Sequence, residues 1–406
     1  MEKFNNNNFV LMNKDIPILG FEIRYDRFGT FKLIENQYYS NIRPHGFLNI
    51  TQWLQGRQAP KHREHIVDLL KRCGCYDLEA YIRITHALTL NDTFWIKEDE
   101  SKLKWNDVSL YSNNFNEVIA KIAFEGGMYG EEFSSTSPEF GTDGTFAKCW
   151  IRENDKIYLM KAGSTGARNS GLEPFSEMYS SQIASKICRN TVKYSVEKYR
   201  GKIASRCELF TSESEGFVTA SKFMPKYFNT EELMNLYSEY GCEDDFRRML
   251  VLDVIIVNVD RHMGNHGFII DNDTLEIRRM APIFDNNMAL LPYAEEQDFN
   301  DNYKYFSEQK PKIGKEFCET ANKVLTKSIK SDLLNLRYFK FDTSGNYNLS
   351  EERIGYLNDL IQLQIKGILD YKQYYIKVNQ PNEQEYINEN IYTDEIEIDN
   401  STDIIP

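Results

Sequence analysis

Proline and glycine are scarce, 11 and 22 in 406 residues. That excludes collagen-like and Pro/Gly low-complexity architectures. No CxxC pair occurs, and the seven cysteines stand scattered at 73, 75, 149, 188, 207, 242 and 318. A lone Gly between Cys73 and Cys75 is too little for a zinc site without partners, so reduced thiols are expected, as in the cytoplasm. No apolar run approaches the roughly 20 residues that cross a bilayer. The N-terminus MEKFNNNNFVLMNKDIPILGF has no apolar core behind a basic start, so a soluble, cytoplasmic chain is expected, with no membrane partner. Basic charge is short too: 48 Lys and Arg against 61 Asp and Glu, a net −13, argue against a direct nucleic-acid footprint. Internal repeats are absent, as are GxxxxGK[ST], GxSxG and HExxH.

What is present is apolar and aromatic: 41% hydrophobic residues, with 25 Tyr and 25 Phe. Such a chain can bury a large core, and its length suggests two or three domains. Residues 1–125 read as a mixed α/β leader. Phe9 to Glu22 alternates around Asn13-Lys14-Asp15 as a hairpin, Lys61 to Leu70 and Leu78 to Leu88 read as helices, and Asn91 to Lys97 reads as extended. Residues 126–230 carry a Ser/Thr/Gly-rich stretch and extended runs at Phe146–Ile151 and Ile157–Lys161. A helix over Glu173–Ile187 follows, then extended runs at Val192–Val196 and Glu208–Thr211. That order predicts a small twisted sheet with one helix. Residues 231–377 turn helical, with an apolar helix at Asp245–Val257, a polar loop, a hairpin (Phe268–Ile270, Ile277–Met280) and a long helix or pair at Ile354–Val378. The last segment, 378–406, holds Glu383, Glu385, Glu389, Asp394, Glu395, Glu397, Asp399 and Asp403 with no Lys or Arg, an acidic and flexible tail.

The informative chemistry lies in Asn258-Val-Asp-Arg-His-Met-Gly-Asn265 and in Pro282-Ile-Phe-Asp285. Phosphoryl transfer needs a carboxylate to orient the attacking hydroxyl and hard oxygens to hold Mg²⁺ against ATP. Asp260 and Asn265 have the D-x-x-x-x-N spacing of a kinase catalytic loop, and Asp285 follows the hairpin where a metal-binding Asp falls. Asp and Asn also cap plain turns. The buried helix before the pair and Asp285 beyond it favour Asp260 as base, with Asn265 and Asp285 on the metal. Upstream, Lys161 ends a strand where an ammonium could reach the phosphates, and Glu177 on the next helix could pair with it. Each alone would read as a solvated side chain; their order makes the set. Gly141, Thr142, Gly144 and Thr145 form a loop whose amides could face phosphate, though a hairpin turn reads the same. His262 could bond Asp260 or a phosphate oxygen, or simply pack in the loop.

With these residues in hand, the chain resembles the HipA-like serine/threonine kinases over roughly 130–370. The resemblance rests on Asn258 to Phe268, Ala281 to Asp285, Glu173-Pro-Phe-Ser-Glu177 and Tyr158-Leu-Met-Lys161. It implies an α+β, bilobal, protein-kinase-like fold: a sheet-rich N-lobe (126–230), a helical C-lobe (231–377) and the leader. It implies ATP and Mg²⁺, with Lys161 on ATP, Asp260 as base, and Asn265 and Asp285 on metal. It also implies a protein Ser/Thr substrate, in some members an aminoacyl-tRNA synthetase, and in several a toxin role beside a separate antitoxin. Autophosphorylation of the Gly-rich loop would fall on Thr142 or Thr145, with Ser134, Ser135, Thr136 and Ser137 nearby. The leader matches only through its first hairpin. Its motifs Gln52–Arg57 and Thr89–Trp95 read as packing around Trp53 and Trp95. A lipid or small-molecule acceptor remains an alternative, since Asp260-Arg-His-Met-Gly-Asn265 fits phosphoinositide kinases and small-molecule kinases share the general Asp/Asn/Asp layout, and so does a nucleotide-binding pseudokinase.

Overall fold

A computed structural model describes residues 8–28, 30–60, 65–75, 77–126, 137–166, 170–224, 229–300 and 304–379. The expectations for Ser134, Ser135, Thr136, the start of the Lys61 helix and nearly all of the acidic tail lie outside these residues.

The leader opens as the hairpin its alternation predicts. Strands β1 (Asn8–Asn13) and β2 (Ile16–Tyr25) turn at Lys14, which takes a left-handed φ of +48°. With β3 (Phe31–Tyr38) and β4 (Phe94–Glu98) they make an antiparallel sheet in the order β3-β2-β1-β4. Alternating side chains feed a core on each face. Phe9, Leu11, Leu19 and Phe21 meet Trp53, Leu54, Leu69 and Ile82 from helices α1 (Ile50–Gln55), α2 (Ile66–Arg72) and α3 (Leu78–Thr85). Val10, Met12 and Trp95 meet Trp105 and Val108 of α4 (Trp105–Val108). The two leader motifs do pack around Trp53 and Trp95, and Arg57 joins them. It donates to both Asp92 oxygens, Thr89 Oγ1 and the Phe94 carbonyl, and lies over the Trp53 ring. Helix α5 (Glu117–Glu125) presses Ala120 and Phe124 onto the next sheet.

That sheet is β5 (Lys148–Glu153), β6 (Lys156–Ala162), β7 (Tyr194–Tyr199) and β8 (Lys202–Glu208), antiparallel in the order β5-β6-β8-β7. The β5–β6 turn is Asn154-Asp155, both at positive φ, a conformation Asn and Asp tolerate better than most side chains. The intervening helix α6 spans Glu173–Ile187, as its spacing predicts. It is buried on nearly all sides because it also joins the largest core, through Phe175, Tyr179, Ile183 and Ile187. The extended run expected at Glu208–Thr211 is corrected. The strand is Lys202–Glu208, and Leu209 to Thr211 is the connection between the two halves.

The second half has β9 (Glu215–Thr219), α7 (Thr230–Glu239), α8 (Glu243–Ile255), β10 (Gly267–Asp271) and β11 (Ile277–Met280), with the sheet order β11-β10-β9. The expected hairpin is β10–β11. Among the described residues five helices follow: α9 (Glu296–Asn300), α10 (Lys304–Ser307), α11 (Phe317–Val324), α12 (Lys327–Asn335) and α13 (Glu351–Asn379). The run at Ile354–Val378 is thus one helix, and α8, α11 and α13 pack Leu252, Phe317, Leu360 and Ile361 into the main core. This is a mixed α+β fold. No helix among the described residues is long and apolar enough to cross a membrane.

Candidate functional site

The residues singled out by sequence converge on a cavity of about 350 Å³ between the β5–β8 sheet and the loop after α8. Gly141, Thr142, Gly144, Thr145, Lys161, Glu177, His262, Asn265 and Asp285 all line it. Asp260 does not. Its half-exposed carboxylate lies beside the cavity, 3.9 Å from Lys312 Nζ.

Strand β6 delivers Lys161 and α6 delivers Glu177. Lys161 Nζ lies 3.0 Å from Glu177 Oε1 and also donates to Asp285 Oδ1. Ser205 of β8 donates to the other Glu177 oxygen. Burial disfavours the charged lysine, but Asp285 and then Glu177 outweigh it and raise its pKa above the ordinary value. Burial would likewise raise Asp285, yet Lys161 and next Lys148 hold it down to about 2. Asp285 is therefore ionised at any working pH. It takes a left-handed φ of +54°, tolerated by Asp better than by most side chains. Its N–H donates to Tyr194 Oη, and the segment before it is tied to residues 190–192 through Ile283.

The loop after α8 is held from beneath by groups the sequence reading missed. Arg261 is fully buried and grips Asp253 with Nε and Nη2, at 3.0 and 2.9 Å. It also donates to the carbonyls of Asn265 and Phe284 and to Asn286 Oδ1, so one guanidinium ties the loop to the Asp285 segment. Asn265 Nδ2 donates to the Asp260 carbonyl at 3.2 Å, which leaves its amide oxygen as the polar group for a cation. His262 is exposed. Its Nδ1 accepts the Gly264 N–H, and its ring makes no bond to the Asp260 carboxylate.

The Gly-rich loop begins as a tight turn, Pro138–Gly141. Glu139 accepts the Trp150 N–H at 2.9 Å. Gly141 is needed because a Cβ there would sit 2.6 Å from Thr89 Cγ2 and 2.8 Å from the Leu88 carbonyl. Thr142 Oγ1 donates to the Pro138 carbonyl and accepts from Trp150 Nε1, whereas Thr145 is exposed. The leader thus forms part of the wall: Thr89, Leu90 and Asn91 line the cavity, and Asn91 accepts the Phe217 N–H. The far end is apolar, with Leu159, Val192, Leu209 and a triangle of Phe210, Phe217 and Phe284 whose rings lie 5.3–5.5 Å apart.

An apolar slot opening into a glycine-rich end that holds Lys161 has room for a flat base in the slot, with phosphates beside the ammonium. No cluster of three or more His, Cys, Asp or Glu among the described residues could cage a metal. The donor set present, one carboxylate and one amide oxygen, suits Mg²⁺, which binds through few protein ligands and completes its shell with phosphate and water.

No protein-family model matches the chain. It is 24% identical over 259 residues to the serine/threonine-protein kinase CtkA of Helicobacter pylori, covering 59% of this chain and 71% of that one. The crystal structure of that proinflammatory kinase superposes with a TM-score of 0.45 at 18% identity, over 60% of this chain and 96% of the other. HipA of Shewanella oneidensis, solved with HipB and operator DNA, superposes with a TM-score of 0.50 at 11% identity, over 89% of this chain and 97% of that one.

Proposed function

We propose, on the premise that the chain has the fold of the HipA-like kinases, that it transfers the γ-phosphoryl group of ATP to Ser or Thr of a protein. The observation that carries this is the meeting of Lys161, Glu177 and Asp285, from three distant segments, in a cavity shared with Asn265 and the Gly-rich loop. The name of the H. pylori relative, a serine/threonine-protein kinase, points the same way.

Each residue then has a task. Glu177, itself held by Ser205, fixes the Lys161 ammonium where α- and β-phosphate oxygens would lie. The amides at Gly141 to Thr145 add donors to the same phosphates. Asp260, beside the cavity and open to solvent, accepts the proton of the entering hydroxyl. Asn265 and Asp285 hold Mg²⁺, which offsets charge building on the transferred group. Arg261 positions both ligands through its bonds to the Asn265 and Phe284 carbonyls. The exposed His262 lies at the cavity mouth, within reach of the acceptor. In the cytoplasm the chain would work beside a separate antitoxin, as HipA is seen with HipB.

The test is phosphate transfer from labelled ATP with Mg²⁺, alone and with bacterial lysate. Wild type labels itself or a lysate protein, and Asp260→Ala and Asp285→Ala do not. Wild type no better than Asp260→Ala with any divalent metal sinks the proposal, and transfer to lipid vesicles alone reassigns the acceptor.

A further inference from the structure

Lys148 carries no signal in the sequence, yet it is only 4% exposed and lines the nucleotide cavity. It pairs directly across β5–β6 with Lys161, so the two side chains leave neighbouring strands on one face. Residues so opposed have Cβ atoms about 4.5–5.5 Å apart. Two lysines side by side repel, and burying an ammonium is costly unless it is compensated. Something at this spot must favour a second positive charge.

The charge balance says what. Lys161 is shared between two acidic side chains, Glu177 and Asp285, so acids outnumber the lysine in that trio. A nucleoside triphosphate, itself an anion, would be repelled by it. Lys148 cancels the excess. Its ammonium is held at the right place by the Gly-rich loop: Nζ donates to the Asp143 carbonyl at 2.6 Å. A Cβ at Gly144 would lie 2.1 Å from that nitrogen, and Gly144 has a φ of +96°. The loop leaves out a side chain where the ammonium sits. An ammonium has three donors, so it can keep the carbonyl and still meet a phosphate oxygen.

We infer that Lys148 is a second phosphate-binding cation, which couples the Gly-rich loop to the terminal phosphates of the nucleotide. The inference rests on the nucleotide reading above, and it reaches a residue outside the Lys161, Asp260, Asn265, Asp285 set.

The test is calorimetric binding of adenosine, AMP, ADP and ATP to wild type, Lys148→Gln and Lys148→Met. Gln keeps a donor for the Asp143 carbonyl and loses the charge, which guards against loop collapse. Wild type should bind more tightly with each added phosphate. Lys148→Gln should lose about tenfold for ATP, the scale of one charge-assisted hydrogen bond, and nothing for adenosine. Lys148→Arg should restore most of the loss. If Lys148→Gln binds ATP as wild type does, or loses adenosine and ATP equally, the inference is overturned. If wild type itself does not distinguish ATP from adenosine, the nucleotide reading falls first. Should Lys148→Met fail to fold, Lys148→Gln still decides.

Discussion

Two buried ion clusters lie on opposite sides of the cleft, and they are built on opposite plans. Above it, a lysine is shared by Glu177 and Asp285, one cation between two acids, open to the cavity. Below it, Arg261 takes a single carboxylate, Asp253, and spends its remaining donors on carbonyls and an amide, closed off from solvent. The upper cluster sets two acids against one lysine and faces the cavity, and the lower one is satisfied and faces the core. Burial and charge alone thus do not mark a reactive group. An acidic excess open to a cavity, which a bound cation would offset, does. The choice of side chains agrees. Arginine's planar fork holds several partners in fixed directions, while lysine's single ammonium can change partner.

The comparison can be broken in graded ways. The largest effect should come from the upper cluster: Asp285→Ala should lower phosphate transfer by about a thousandfold or more, with Mg²⁺ and the acceptor held constant. Its chemical-denaturation midpoint should move little, since Lys161 keeps Glu177. Arg261→Met should show the reverse order of severity, losing about 3–5 kcal/mol in urea unfolding because Asp253 is left buried and uncompensated. If Asp285→Ala unfolds the protein while Arg261→Met does not, the two plans have been assigned the wrong way round.

A subtler effect concerns His266, buried under the loop, with Nδ1 against the Tyr237 hydroxyl at 2.6 Å. Burial, then the Arg261 charge, lowers its pKa to about 3. The unfolded chain takes up that proton near pH 6.5 and the folded one does not. Its contribution is therefore whole above pH 6.5 and is lost as pH falls toward 3, by up to about 1.4 kcal/mol per pH unit. Thermal midpoints between pH 7 and 4.5 should fall less steeply in His266→Gln. An unchanged slope would mean that other groups govern acid sensitivity. The smallest effect is expected far from the cleft. Lys14 meets Asp273 at 2.5 Å across the leader and the β10–β11 hairpin, largely in solvent. Lys14→Ala should cost less than about 0.5 kcal/mol and leave transfer alone.

Much of this site was legible in the chain because its key signals are local. Asp260 and Asn265 lie within one loop, and α6 shows helical spacing over its whole length. What escaped reading depends on pairing across distance. Lys148 matters only because β5–β6 register sets it opposite Lys161. Arg261 stands in a loop, and its partner Asp253 is close in sequence; what no local pattern shows is that its other donors reach Phe284 and Asn286. Strand β8, Lys-Ile-Ala-Ser-Arg-Cys-Glu, has too weak an alternation to stand out beside the more apolar Glu208–Thr211. The leader's part in the cavity wall had no motif at all. It follows from Gly141 approaching Leu88 and Thr89, a contact visible only in three dimensions.

The bond from Trp150 Nε1 to Thr142 has a practical corollary. Of the four indoles, Trp53, Trp95 and Trp105 are walled into the leader's cores, and Trp150 is half-buried at the cavity rim. Any change of emission on adding nucleotide can then be read as movement of one ring, so the protein carries its own fluorescent gauge of the loop, with no label to attach.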